Sequence, residues 1–163
     1  MFDLLMAPTC ILALCTSAIS EIPQRHTHHR AKKIRLCEKI GAKALAAGLD
    51  PSIIIAVAWR ESAISYVTNK RSGATGPLQI LPRYWCRRGR TKGCDLIAAG
   101  LQAFKIFSKR RSLRETLCRY SSGRSCREVR GARRYAGAVF RTLRKIRAAA
   151  TNQCSWTSQT PWP

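Results

Sequence analysis

At 163 residues the chain has room for one domain and a processed end. Its 45% hydrophobic content lies well above the range of disordered chains, which excludes a low-complexity polypeptide. Thirty Lys plus Arg against eight Asp plus Glu give a formal net charge of +22. That excess predicts attraction to a polyanion (nucleic acid, an anionic membrane or lipopolysaccharide, the bacterial cell wall) and says little about fold.

The first 20 residues differ from the rest. Met1 to Ser20 carries no Lys or Arg, and its apolar stretch from Cys10 to Ala18 is too short to cross a bilayer as a stable helix. The stretch suits the h-region of a secretory signal peptide, with Ala18-Ile19-Ser20 as a small-residue cleavage site. Against this, Asp3 and the absence of positive charge make a poor n-region; a buried N-terminal segment is the alternative. Removing residues 1–20 leaves Cys37, Cys86, Cys94, Cys118, Cys126 and Cys154, an even set that suggests a disulfide framework in an exported domain. Proximity in sequence pairs Cys86 with Cys94 and Cys118 with Cys126, which leaves Cys37 with Cys154. A second possibility, lipidation at Cys15, has the bulky Leu14 against it. No CxxC pair occurs, and His26, His28 and His29 cluster in one polar segment, so no metal site is expected.

Residues 21–31 lack apolar periodicity and read as a linker. From Ile34 the pattern turns helical through Cys37, Ile40, Ala44, Leu45 and Leu49, with Gly48 as a stop. Asp50-Pro51 supplies an N-cap and a proline for the first helical position. The run Ile53 to Trp59 is apolar on every side, which predicts a buried helix ending in Arg60-Glu61-Ser62. Residues 65–94 are punctuated by Gly and Pro and read as loop-rich. Helical periodicity returns from Asp95 to Phe107. A short helix follows from Ser112, where Ser112 and Glu115 have capping-box spacing. A last long helix covers about 127–149, and a polar tail, 151–163, is pinned by Cys154. The sum is an all-α single domain over about residues 32–150.

Glu61 is the acid that stands out. It follows a wholly apolar helical run, so its carboxyl group is expected at the rim of a dry pocket, where desolvation and the negative pole of a helix C-terminus both raise its pKa. A carboxylic acid kept protonated near neutrality can protonate a departing glycosidic oxygen. The plainer alternative is a surface glutamate paired with an arginine such as Arg60. No Asp or Glu lies between Glu61 and Asp95, and most glycosidases need a second carboxylate.

The string Glu61-Ser62, followed by Ser72-Gly73-Ala74-Thr75-Gly76-Pro77-Leu78-Gln79-Ile80-Leu81-Pro82, resembles the signature of the soluble lytic transglycosylase (SLT) family. Leu78 stands where methionine is usual, and Pro77 replaces the usual leucine. Downstream, Asp95 to Leu101 resembles the family's Asn-Ile-x-x-Gly-x-x-Tyr-Leu helix. Tyr120-Ser121-Ser122-Gly123 resembles its Tyr-Asn-Ala-Gly motif, and Tyr135 with Val139 resembles its closing helix. The resemblance covers about residues 35–147.

What it implies is a lysozyme-like domain with a loop-rich cleft, acting as a peptidoglycan lytic transglycosylase in the periplasm or outside the cell. Glu61 is then the acid and afterwards the base. Ser72 and Gln79 belong to the substrate-binding loop, with Gln79 lining a sugar subsite. Tyr120 stands close to Glu61 and positions the sugar or the acid, while Tyr135 supports the same cleft or packs in the core. The resemblance implies no cofactor, a monomer, and peptidoglycan as substrate. Its small single-domain members serve conjugation, secretion, pilus and phage systems, so components of an envelope-spanning machine are candidate partners. The basic excess is expected to hold the enzyme on anionic wall or lipopolysaccharide. Three other readings compete. A nucleic-acid-binding module is not expected, since the basic residues gather on no single recognition helix and a disulfide framework is unusual there. A cationic antimicrobial protein would draw on the basic helix 127–149. A goose-type-lysozyme-like hydrolase would keep the fold and change the product.

Overall fold

The computed structural model describes residues 8–21, 29–151 and Cys154. These residues form seven helices: α1 (Pro8–Ser20), α2 (Arg30–Ala46), α3 (Pro51–Ser62), α4 (Pro82–Trp85), α5 (Leu96–Ser108), α6 (Leu113–Ser122) and α7 (Arg130–Ala150). A 3-10 turn at Arg87–Gly89 follows α4, and Thr75 makes isolated β-bridges with Thr68 and Ile80. The fold is all-α, as the periodicity predicts.

Most helix starts have a local cause that the sequence announces. Asp50 accepts the Ser52 N–H at 2.8 Å, and Pro51 takes the first helical position of α3. Asp95 accepts the Ile97 and Ala98 N–H groups at 3.1 and 3.0 Å. Ser112 accepts the Glu115 N–H at 3.3 Å. The Glu115 carboxylate turns to Arg119 and to the Cys126 N–H, forgoing the second half of a capping box. Helix α7 starts at Arg130, slightly later than expected, after a turn in which Glu128 accepts the Ser125 N–H. Helix α2 starts at Arg30, so the last two residues of the expected linker are helical. The rest of that linker, 22–28 with His26 and His28, and the tail beyond Thr151 apart from Cys154 lie outside the described residues.

Helix α3 is the centre of the domain. Every residue from Pro51 to Ala58 is buried, and the helix packs on α1, α2 and α7. Ile53, Ile54, Ile55 and Val57 each contribute about 1.5–3 kcal/mol by leaving water. Arg147 on α7 bonds Asp50 at 2.5 Å and the Ser52 hydroxyl at 2.9 Å, fixing the start of α3.

The N-terminal stretch read as a signal peptide, with a buried segment as the alternative, forms helix α1 in the full chain and packs on α2, α3 and α7. Ile11, Leu14, Ala18 and Ile19 are buried at helical spacing. Gly41 lets α2 approach closely, since a Cβ there would lie 2.7 Å from the Ile11 Cγ2. A short apolar run suits a buried helix as well as an h-region, and in the full chain it packs as a helix.

The disulfides change accordingly. Cys86–Cys94 and Cys118–Cys126 form as proximity suggests. The expected Cys37–Cys154 bridge does not form. Cys37 pairs with Cys15, and Cys154 with Cys10. The expected pairing had followed from setting aside Cys10 and Cys15, the nearest partners in space. Lipidation at Cys15 is equally incompatible with that bond. Four disulfides are the pattern of an exported protein in an oxidising compartment.

Non-reducing peptide mapping of the full chain should therefore recover Cys10–Cys154 and Cys15–Cys37 cross-links. Recovery of Cys37 joined to Cys154 would contradict this packing. A Cys10→Ser/Cys154→Ser variant loses the bond with the longest sequence separation, 144 residues, and should be destabilised by about 2–5 kcal/mol.

Candidate active site

Glu61 sits in the last turn of α3, so its position depends on how that helix stops. Ala63 adopts a left-handed conformation (φ 50°, ψ 41°) and its N–H bonds the Trp59 carbonyl at 3.0 Å. The Ile64 N–H reaches back to the Ala58 carbonyl at 3.2 Å, a Schellman-type closure. Glycine is usual at such a stop, and here alanine and then a β-branched residue (Ile64, φ 53°) occupy left-handed backbone. The strain persists because the surroundings hold it. Ile64 is completely buried. Lys33 Nζ, from α2, donates to the Ala63 carbonyl and the Ser65 hydroxyl, both at 2.5 Å. Burial lowers the pKa of that lysine. The Ser62 hydroxyl donates to the Pro77 carbonyl at 2.9 Å and accepts the Ser65 N–H at 3.0 Å.

The Glu61 carboxyl is partly buried. Burial pushes its pKa up to about 7, opposed by the Tyr135 hydrogen bond and by the charge of Arg60. The Tyr135 hydroxyl, reaching in from α7, donates to Glu61 Oε1 at 2.5 Å. Tyr135 itself is pushed well above its ordinary value, first by burial and then by Glu61, so it remains a donor. The Tyr120 hydroxyl is raised by the same two causes. It donates to the Leu78 carbonyl at 2.7 Å, and its ring packs on Phe104 and Phe107 with centroids 5.6 and 6.4 Å away.

The loop after the turn is organised by its own backbone. Gln79 Nε2 donates to the Val67 carbonyl at 2.9 Å and to the Gly76 carbonyl at 2.8 Å. The Ser72 hydroxyl accepts the Ala74 N–H at 3.2 Å. Ser72 is exposed, in a groove it shares with Leu81, Arg83 and Arg90. Of the residues singled out from sequence, the fold thus joins Glu61 to Tyr135 and sets Tyr120 within electrostatic reach of both. The amide of Gln79 and the hydroxyl of Ser72 bond the loop that follows.

Lys33 and Ser62 belong to the site's support and were not singled out. Ser62 stands beside Glu61 in the quoted string, a signal that was available. Nothing in the sequence marks Lys33. Just beyond the turn, Tyr66 and Val67 leave apolar surface exposed.

Glycines let α5 approach this loop. A Cβ on Gly100 would lie 2.6 and 2.7 Å from the Leu78 side chain, and one on Gly76 would lie 2.9 Å from the Leu96 Cβ. Gly100→Ala should displace Leu78, whose carbonyl Tyr120 holds. The expected cost is about 1–3 kcal/mol, read as a lower Tm; an unchanged Tm would mean that the loop can move aside freely.

No family model, curated protein or solved structure matches this chain. Its own residues carry the functional argument.

Proposed function

We propose that this protein is an exported peptidoglycan lytic transglycosylase, acting in the periplasm or at the cell exterior on the β-1,4 bond between N-acetylmuramic acid and N-acetylglucosamine. The observation that carries the reading is the Glu61 carboxyl, buried until its pKa is about 7 and bonded by Tyr135. At its ordinary value of 4.5 such a group would be protonated in roughly 0.3% of molecules at pH 7; near 7 it is protonated in about half. That difference separates a surface glutamate from a general acid.

Four of the remaining acids are paired elsewhere, which supports a route with one carboxyl group. Burial, Tyr135 and Arg60 shift Glu61, and no second carboxylate is among the causes. Asp50 is bonded to Arg147, Asp95 to Lys43, Glu115 to Arg119 and Glu21 to Lys145. In the proposed reaction Glu61 gives its proton to the leaving sugar oxygen as the glycosidic bond breaks. The substrate's own N-acetyl oxygen stabilises the cationic carbon. The Glu61 carboxylate then takes the proton of the muramic C6 hydroxyl, whose oxygen closes a 1,6-anhydro ring and restores the acid. Tyr135 holds the carboxyl in place through both transfers, and the SLT-like string around Glu61 agrees with these roles. The excess of basic residues would retain the enzyme on the anionic wall, so wall binding should weaken as salt rises.

Mass spectrometry of digested peptidoglycan tests the reaction. Anhydromuramic ends are expected, and hydrated reducing ends as the main product would replace this reading with a lysozyme-like hydrolase. Glu61→Gln should lower turnover by about 10³-fold while leaving wall binding intact.

The pH dependence follows from the direction of the shift. The reaction needs protonated Glu61, so kcat/KM should fall as pH rises through about 7. The Tyr135 bond lowers the Glu61 pKa, so Tyr135→Phe should carry that alkaline limb to higher pH; a limb moving to lower pH would contradict the role. Stability has the same sign. The folded-state value exceeds the ordinary one, so the contribution is whole below pH 4.5 and is lost as pH rises through about 7. Glu61→Gln should therefore gain Tm relative to the parent between pH 5 and pH 8.

A further inference from the structure

The loop segment beyond Glu61 has a second feature that the proposed cleavage chemistry does not use. Between Glu61 and Asp95 the sequence holds seven Lys and Arg residues and no acid. The Cys86–Cys94 bond closes part of this segment into a short loop, with Cα atoms 5.6 Å apart. Between that loop, α4 and the tip of the preceding loop lies an open groove of about 520 Å³. Its cations are Arg83, Arg90 and Lys92, all exposed. Of the residues expected to bind substrate Ser72 lines it, whereas Glu61, Gln79, Tyr120 and Tyr135 do not.

Three observations give this groove the character of a binding site. Among the described residues the ion pairs are Lys43–Asp95, Arg119–Glu115, Lys145–Glu21 and Arg147–Asp50, so the three groove cations keep their charge available. Arg83 is already oriented, its guanidinium lying over the Tyr84 ring at 4.7 Å from the centroid. The groove also has walls without side chains at Gly73 (φ 76°) and Gly89 (φ 66°), whose left-handed backbone favours glycine. The sugar hydroxyl and N-acetyl groups of a glycan need no such concentration of positive charge. A carboxylate does, and guanidinium groups bind it with charge-assisted hydrogen bonds.

We infer that this groove holds the carboxylates of the peptide stems on a peptidoglycan strand, making it a subsite that selects strands still bearing stems. The inference rests on the transglycosylase reading for its substrate. The disulfide closes the loop that carries Arg90 and Lys92, and Glu61, where the bond would break, does not line this groove.

The test measures binding, so it does not depend on turnover. Full-length Glu61→Gln protein is titrated with soluble glycan strands, either carrying stems or stripped of them by an amidase, with the lactyl carboxylate that the amidase frees on each muramic residue capped as its methylamide. Tighter binding of stem-bearing strands, by about tenfold or more, is expected. Arg83→Ala/Arg90→Ala/Lys92→Ala should abolish that preference and leave affinity for stripped strands within about twofold. A variant losing the same charge from the exposed face of α7, Arg134→Ala/Arg141→Ala/Arg144→Ala, should keep the preference. Cys86→Ser/Cys94→Ser retains every cation but frees the loop, and should weaken the preference too. Equal binding of the two strand types by the parent overturns the inference, as does no binding of either. The same loss from the α7 variant would reduce the groove to general charge. Failure of the wild-type protein to cleave strands, with the stem preference intact, would sink the transglycosylase reading and leave a site for acidic peptides.

Discussion

A carboxyl group taken out of water at the end of a buried helix is the constraint around which this fold is arranged. Desolvation alone would make Glu61 neutral and loosely placed. The Tyr135 hydroxyl supplies direction, donating to one oxygen while pulling the pKa part of the way back. The balance leaves a value near neutrality, where the group can both give and recover a proton. Neither effect suffices by itself, and the two residues, on α3 and α7, are 74 positions apart in sequence.

Holding α3 still is therefore the task of the surrounding helices. Its two ends are clamped by cations from different elements. Arg147 of α7 bonds the capping Asp50 and Ser52 at the start. Lys33 of α2 bonds the Ala63 carbonyl at the finish, where the helix dipole favours positive charge. Between the clamps, isoleucine and valine side chains pack on α1, α2 and α7. Helix α1 is itself bonded to α2 by Cys15–Cys37 and to the far C-terminal side by Cys10–Cys154. The strained Ala63–Ile64 turn survives in this frame. Once the turn is fixed, the loop from Ser65 onward departs in one direction, and Ser62 and Tyr120 fasten it through the Pro77 and Leu78 carbonyls.

Much of this was legible in the sequence, and the parts that were not share a cause. Asp50-Pro51, Asp95 and Ser112 announce helix starts because capping is a local matter of one side chain and the next few N–H groups. The apolar run before Glu61 marks a buried helix, and its abrupt end marks a carboxyl at the border of the core. Long-range pairings are different. Nothing near Lys33 says that it will meet Ala63, and nothing near Tyr135 says that its hydroxyl will find Glu61 in preference to water. Helix α1 is a related case. The spacing of Ile11, Leu14 and Ala18 is helical both for a leader and for a buried segment, and its contacts with Gly41 and with two distant cysteines could not be read from that spacing. Gln79, expected to line a sugar subsite, gives its amide nitrogen to the Val67 and Gly76 carbonyls from left-handed backbone (φ 47°), a pairing its sequence position does not announce.

The central claim is that Glu61 stays protonated far above the ordinary range of a glutamic acid. Its side-chain carboxyl can be followed directly by ¹³C NMR in the disulfide-bonded full chain, titrated from pH 3 to pH 9 with Glu61→Gln used to assign the resonance. The account predicts a midpoint of about 7. A midpoint near 4.5, the value of a solvated glutamate, would contradict it.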